Sequence, residues 1–180
     1  LPNSEPREKM HYHQYYPVDV INGPGTRATL FVSGCEHQCP GCYNQSTWRL
    51  DGGKPFDAAM SDRIIQDLND SRIKRRGLSL SGGDPLHPAN VPQVLALVRR
   101  VRAECPGKDI WCWTGYRLDE LSPAQRELVA LLDVLVDGKF EKELADPGLL
   151  WRGSSNQIIH DLNAWREREH KGLIPCQRLA

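Results

Sequence analysis

The chain predicts an α/β fold, an open or partial parallel β/α barrel, on three observations. Strand-like and helix-like runs alternate along most of the sequence, the pattern of a parallel sheet built from right-handed crossovers. Roughly five such units fit in 180 residues, too few for a complete eight-stranded barrel of about 250. Glycine and polar motifs follow the strand-like runs, where ligands gather in folds of this class.

The elements follow in order. Ala28-Thr29-Leu30-Phe31-Val32 is short, apolar and β-leaning, as expected of a buried strand. Asp57 to Asn69 carries Met60, Ile64, Ile65 and Leu68 at helical spacing. Leu78-Ser79-Leu80-Ser81 reads as a strand ending in Gly82-Gly83-Asp84-Pro85. Val91 to Val101 is a second helix, with Val94, Leu95, Leu97, Val98 and Val101 on its apolar side. Ile110-Trp111-Cys112-Trp113-Thr114 is the next strand, closed by Gly115. A third helix begins with Ser122 as cap, Pro123 at its first position and Gln125 completing a capping box, and runs to about Leu132. Val134-Leu135-Val136 is a strand before Asp137-Gly138-Lys139, and a last short strand falls near Gln157-Ile158-Ile159. Residues 1–9 are polar and expected to be a disordered extension, 10–162 a single domain and 163–180 a C-terminal tail.

Composition narrows the class of function. Formal net charge is zero, which argues against a broad basic face for nucleic acid. No stretch approaches the ~20 apolar residues of a membrane span, and the run Leu1 to Lys9 lacks the apolar core of a signal peptide. Six cysteines without paired spacings fit a reducing, cytoplasmic compartment better than a disulfide framework.

Three of those cysteines, Cys35, Cys39 and Cys42, share one short loop. Their spacing is also helical, but Pro40 would disrupt a helix there, and Gly34 and Gly41 favour open backbone. Three thiolates are one too few for a closed tetrahedral zinc site or a fully ligated iron–sulfur cluster. A four-iron cluster held by them keeps one iron free to bind a small molecule. The paired glycines Gly82 and Gly83 let a ligand approach the backbone, or form an ordinary turn. Asp137 and Lys139, two apart at a strand end, can face one side and bind hydroxyls and a carboxylate, or form a solvated pair. His37 is a ligand, a support for the loop or an exposed side chain. Cys105, Cys112 and Cys176 read as buried or idle thiols, although a fourth ligand from among them would make an electron carrier.

A cysteine triplet followed by a strand ending in Gly-Gly-Asp-Pro resembles the radical S-adenosylmethionine superfamily. Further segments sharpen the likeness: Val20 to Arg27, Cys39-Pro40-Gly41-Cys42-Tyr43-Asn44, Ser81 to Leu86, Trp113 to Tyr116, Val136 to Phe140 and Trp151 to Gln157. Together they resemble the activating proteins of anaerobic ribonucleoside-triphosphate reductase, over about Met10 to Asp161. Many superfamily members carry an aromatic residue where this chain has Gly41, and a glutamate where it has Asp84.

The resemblance implies a partial barrel of the radical S-adenosylmethionine type. It implies that Cys35, Cys39 and Cys42 ligate a [4Fe-4S] cluster whose fourth iron chelates S-adenosyl-L-methionine. Gly41, Cys42 and Tyr43 would contact the cofactor beside the cluster. Gly82, Gly83 and Asp84 would lie at its methionine end, and Asp137 and Lys139 would hold ribose and carboxylate. Reductive cleavage would give a 5′-deoxyadenosyl radical that takes hydrogen from a glycine of the partner reductase, with electrons from a flavodoxin- or ferredoxin-like donor. The rivals are an activase of another glycyl radical enzyme and a non-enzymatic iron–sulfur electron carrier. On this reading Gly83→Val keeps iron and loses cofactor cleavage.

Overall fold

The computed structural model describes residues 10–170; the expected extension at 1–9 and the Cys176 thiol lie outside them. Seven strands form one sheet: β1 (His11–Asp19), β2 (Arg27–Val32), β3 (Lys54–Pro55), β4 (Gly77–Gly82), β5 (Asp109–Trp113), β6 (Val134–Asp137) and β7 (Ile158–Asp161). Their order is β3-β1-β2-β4-β5-β6-β7. The central strands β2, β4, β5 and β6 run parallel to one another. β1 and β3 extend the sheet antiparallel on one side, and β7 closes the other side antiparallel to β6. The sheet is therefore open and mixed, with a parallel centre. The strand expected near Gln157 to Ile159 is present, but it reverses direction, because only a short 3-10 turn (Lys142–Leu144), and no α-helical crossover, lies between β6 and β7.

The parallel strands are buried on both faces, which is why their sequences read as near-continuous apolar runs. Helices α1 (Ala58–Asn69), α2 (Val91–Glu104) and α3 (Pro123–Val129) supply the crossovers. Asp57 caps α1 by accepting from the Met60 amide at 2.8 Å, and the helix buries Met60, Ile64, Ile65 and Leu68. α2 buries Val91, Val94, Leu97, Val98 and Val101 and ends at Cys105, whose own side chain is 2% exposed. The α3 capping box forms as the sequence predicts, with Ser122 Oγ accepting from the Gln125 amide at 3.2 Å and Gln125 Oε1 accepting from the Ser122 amide at 2.9 Å. α4 (Leu162–His170) follows β7 directly, with Leu162 fully buried and Trp165 packed on the core. No described helix is long and apolar enough to cross a membrane.

The amino-terminal end of the parallel centre is closed by a buried arginine. Arg27 is fully buried and bonds Ser79 Oγ (2.7 Å), the Pro24 carbonyl (3.1 Å), the Leu78 carbonyl (3.1 Å) and Asp109 Oδ1 (2.5 Å). Its guanidinium also lies 5.8 Å from the centre of the Trp111 ring. The opposite, carboxyl-terminal end is open. It carries the cysteine loop after β2, the glycine pair after β4, Thr114-Gly115 after β5 and Asp137-Gly138-Lys139 at β6. Four neighbouring parallel strands thus deliver all of these motifs to one edge.

Candidate metal and cofactor site

The cysteine loop is anchored at both ends by backbone hydrogen bonds. The Gly34 amide donates to the Thr47 carbonyl at 2.6 Å and the Cys35 amide to the Trp48 carbonyl at 3.0 Å. Asn90 Nδ2 holds the Ser33 carbonyl at 2.9 Å. Between these ties the chain turns sharply, with Gln38 at φ 48° and Gly41 at φ 73°, the left-handed region that glycine enters freely.

The three cysteines are half-buried, and each sulfur is met by backbone amides. His37 and Gln38 serve Cys35, Phe140 serves Cys39, and the Asn44 amide lies 3.4 Å from Cys42 Sγ. Burial pushes the Cys35 thiol up to about 11, with the Asp84 and Cys39 charges adding to the effect. Burial also raises the Cys39 thiol, and the nearby Cys42 sulfur raises it further, while the Phe140 amide and Lys139 oppose the shift. Burial of this kind disfavours a bare thiolate at Cys35 and Cys39, and a bound metal cation reverses that preference. Amide donors on every sulfur are the environment that iron-bound thiolates use. The donor set therefore fits an iron–sulfur cluster with three protein ligands. Cys105 and Cys112 are buried in the core, where Cys105 Sγ faces the Ile65 carbonyl and burial raises the Cys112 thiol well above its usual range.

The glycine pair lies directly against this loop. A Cβ at Gly83 would stand 2.5 Å from the Gly34 carbonyl oxygen and 2.7 Å from that of Thr47, and a Cβ at Gly82 2.5 Å from the Val32 carbonyl. Both glycines are thus required by backbone packing, so Gly83→Val would displace the cysteine loop itself.

Asp84 is fully buried and turned inward. Its carboxylate accepts from Thr114 Oγ1 at 2.8 Å, the Gly115 amide at 2.9 Å and the Leu86 amide at 2.9 Å, and contacts His37 Nε2 at 2.7 Å. His37, whose side chain is 5% exposed, is the support that ties the cysteine loop to the ends of β4 and β5. Gly115 leaves room for it, since a Cβ there would lie 2.4 Å from the ring. Donor atoms of Cys35, His37 and Asp84 lie within 4.8 Å of one another. With the carboxylate already satisfied by four donors, that cluster reads as a hydrogen-bonded anchor.

Asp137 ends β6 and is 4% exposed, with Oδ2 accepting from the Leu118 amide at 2.7 Å and Oδ1 at 2.9 Å from His160 Nε2. Beside it opens a cavity of about 810 Å³ that Asp137 and Lys139 line together with Gly115, Arg117, Asn156 and His160. The cysteine loop, Gly82, Gly83 and Asp84 do not line this cavity; they sit at the adjoining strand ends. Tyr43 is 75% exposed, its ring 5.3 Å from that of Phe140. Gly41 packs near Lys142 and Phe140. The structure thus arranges the expected residues as two neighbouring groups, bridged by Gly115 and by the Lys139-Phe140 turn. His160, from the antiparallel edge strand, is a site residue that no motif spacing marks.

The comparisons with known proteins agree with this arrangement. A family model described as a 4Fe-4S single cluster domain matches residues 21–160. The anaerobic ribonucleoside-triphosphate reductase-activating protein of Escherichia coli (strain K12) is 71% identical over 153 residues, covering 85% of this chain and 99% of the relative. The protein of the same name from Vibrio cholerae is 69% identical over 151 residues, 84% of this chain and 97% of the relative. That of Enterobacteria phage T4 is 47% identical over 150 residues, 83% of this chain and 93% of the relative. With a 4Fe-4S domain model matching residues 21–160 and such identity over nearly all of these relatives, the chain belongs to the family of anaerobic ribonucleoside-triphosphate reductase-activating proteins.

Proposed function

We propose that the chain is a radical S-adenosylmethionine enzyme that activates anaerobic ribonucleoside-triphosphate reductase. The observation that carries the reading is the cysteine loop: three half-buried thiols, amide donors on each sulfur, and the remaining described cysteines buried in the core. Cys35, Cys39 and Cys42 would hold the [4Fe-4S] cluster and leave one iron to S-adenosylmethionine. Bound and reduced, such a cluster would supply the one electron for cleavage of S-adenosylmethionine to methionine and a 5′-deoxyadenosyl radical, which would take hydrogen from a glycine Cα of the reductase and leave as 5′-deoxyadenosine.

This chain's own residues bind, orient and shield. Gly82 and Gly83 offer backbone without side chains beside the loop, and Asp84 keeps that backbone in place through Thr114, Gly115 and His37. Gly41, Cys42 and Tyr43 would contact the cofactor beside the cluster, with the exposed Tyr43 ring resting against Phe140. Lys139 meets a carboxylate and Asp137 ribose hydroxyls at the cavity. The open sheet is then the partial barrel of this superfamily, formed by residues 10–162, and its open edge admits a loop of the partner protein. The electron donor is a flavodoxin- or ferredoxin-like protein, and the reaction belongs in a reducing cytoplasm.

The test is anaerobic. The cluster is reconstituted, dithionite and S-adenosylmethionine are added, and 5′-deoxyadenosine and methionine are assayed with and without the reductase. Products that depend on all three loop cysteines, and a glycyl radical signal on the reductase, are expected. A full cluster with no products, even with reductase present, would leave an electron carrier.

A further inference from the structure

Between β6 and β7 the sequence Arg152-Gly153-Ser154-Ser155-Asn156-Gln157 folds back over the turn that follows Asp137. Gln157 Nε2 donates to the Gly138 carbonyl at 3.0 Å, and Asn156 Nδ2 donates to the Lys139 carbonyl at 2.8 Å. Ser154 Oγ accepts from the Glu141 amide at 3.1 Å. Gln157 is itself locked, its Oε1 accepting from the amides of Gly153 (2.9 Å) and Ser154 (3.2 Å). The turn so held has two working faces. Lys139 lines the cavity, whereas the Phe140 amide serves Cys39 and the Phe140 ring lies against Tyr43.

We infer that Asn156 and Gln157 are positioning residues, whose side-chain amides hold the Gly138-Lys139-Phe140 turn so that it serves the cavity on one side and the cysteine loop on the other. The inference rests on the proposed function, in which those two faces meet one cofactor. The turn needs an external hold because Gly138, at φ 96°, lies outside the regular strand, so among the described residues the carbonyls of Gly138 and Lys139 are met by these two side-chain amides and by no strand ladder. A long lysine reaches only where its backbone is placed, and an amide donor is aimed only while its peptide plane is fixed.

The variants Asn156→Asp and Gln157→Glu test this, since each keeps the side chain's shape and replaces its donor with an oxygen facing a carbonyl. Two measurements are made. Hydrogen exchange of residues 138–141 is followed in the iron-free protein, and S-adenosylmethionine affinity is read from its perturbation of the reduced cluster's electron paramagnetic resonance spectrum. Exchange of the turn is expected to rise about tenfold, β2 and β4 to keep parental protection, iron content to stay parental, and affinity to fall by about tenfold, the effect of losing a single charge-assisted contact. Parental affinity in Gln157→Glu, whose side chain does not line the cavity as Asn156 does, would overturn the inference, whatever the exchange shows. A rise in exchange spread across β2, β4 and β5 would overturn it as well, since the amides would then hold the sheet as a whole. A parent spectrum that ignores S-adenosylmethionine would instead count against the proposed function, and the exchange data alone would still decide whether the amides hold the turn.

Discussion

Replacing Asp84 by alanine separates an anchor from a cofactor contact. The carboxylate has four partners in a fully buried position: Thr114 Oγ1, the Gly115 and Leu86 amides, and His37 Nε2. Each buried donor left without an acceptor costs about 1–3 kcal/mol. Water entering the vacated space satisfies part of that deficit, so the total falls near the about 3–5 kcal/mol seen when one partner of a buried charged contact is removed. A chain of this size loses about 2–4 °C of melting temperature per kcal/mol, so the midpoint should drop by roughly 6–20 °C. The assay is thermal unfolding of the iron-free protein, where no cofactor can contribute. A midpoint within about 2 °C of the parent, the scale of a perturbation under 1 kcal/mol, would refute the anchoring role.

Three further perturbations test other parts of the molecule. Gly83→Ala places a Cβ 2.5 Å from the Gly34 carbonyl, so it should destabilise the iron-free chain by about 1–3 kcal/mol and lower iron retention; full iron with unchanged stability would show that the loop yields freely. Arg27→Lys keeps the charge but loses at least two of the guanidinium's contacts, worth about 1.5–3 kcal/mol each, and a loss under 1 kcal/mol in urea unfolding would count against a load-carrying arginine. Burial pushes the Asp19 carboxyl up, but hydrogen bonds from Thr29, Asn22 and the Ile21 amide outweigh it and hold the group below its usual range. Its folded pKa being the lower one, Asp19 stabilises fully above about pH 4 and loses that contribution as pH falls through the folded value. Asp19→Asn should therefore flatten the acid limb of stability below about pH 4, and acid limbs of equal slope in parent and variant would contradict the account.

The parallel centre was readable because β2, β4, β5 and β6 are buried on both faces and so appear as apolar runs, each separated from the next by a helical period. β1 left no such trace. In His-Tyr-His-Gln-Tyr-Tyr-Pro-Val-Asp only Tyr15 and Asp19 are buried, and an edge-side strand with that pattern looks like polar coil. The direction of β7 was equally invisible, since direction depends on the path between strands and not on their composition. At the site, the cysteine triplet and the glycine pair carry their meaning in spacing. Asp84 does not: its sequence position suits a cofactor contact, while its partners come from the end of β5, roughly 30 residues away. His37, between two cysteines, gave no sign that it would be buried against that carboxylate. Arg27 was likewise hidden, because nothing local announces that a charged residue will be covered on every side.

The strand order has a consequence for what the open edge can hold. From β2, which carries the cysteines, to β6, which carries Asp137, the sheet makes three steps. At about 4.8 Å per step the two strand ends stand about 14 Å apart along the sheet, yet the cysteine loop crosses that gap, so the Cys39 sulfur meets the Phe140 amide just past β6. A ligand held at the cysteine loop therefore lies beside the end of β6 as well, without having to span the sheet.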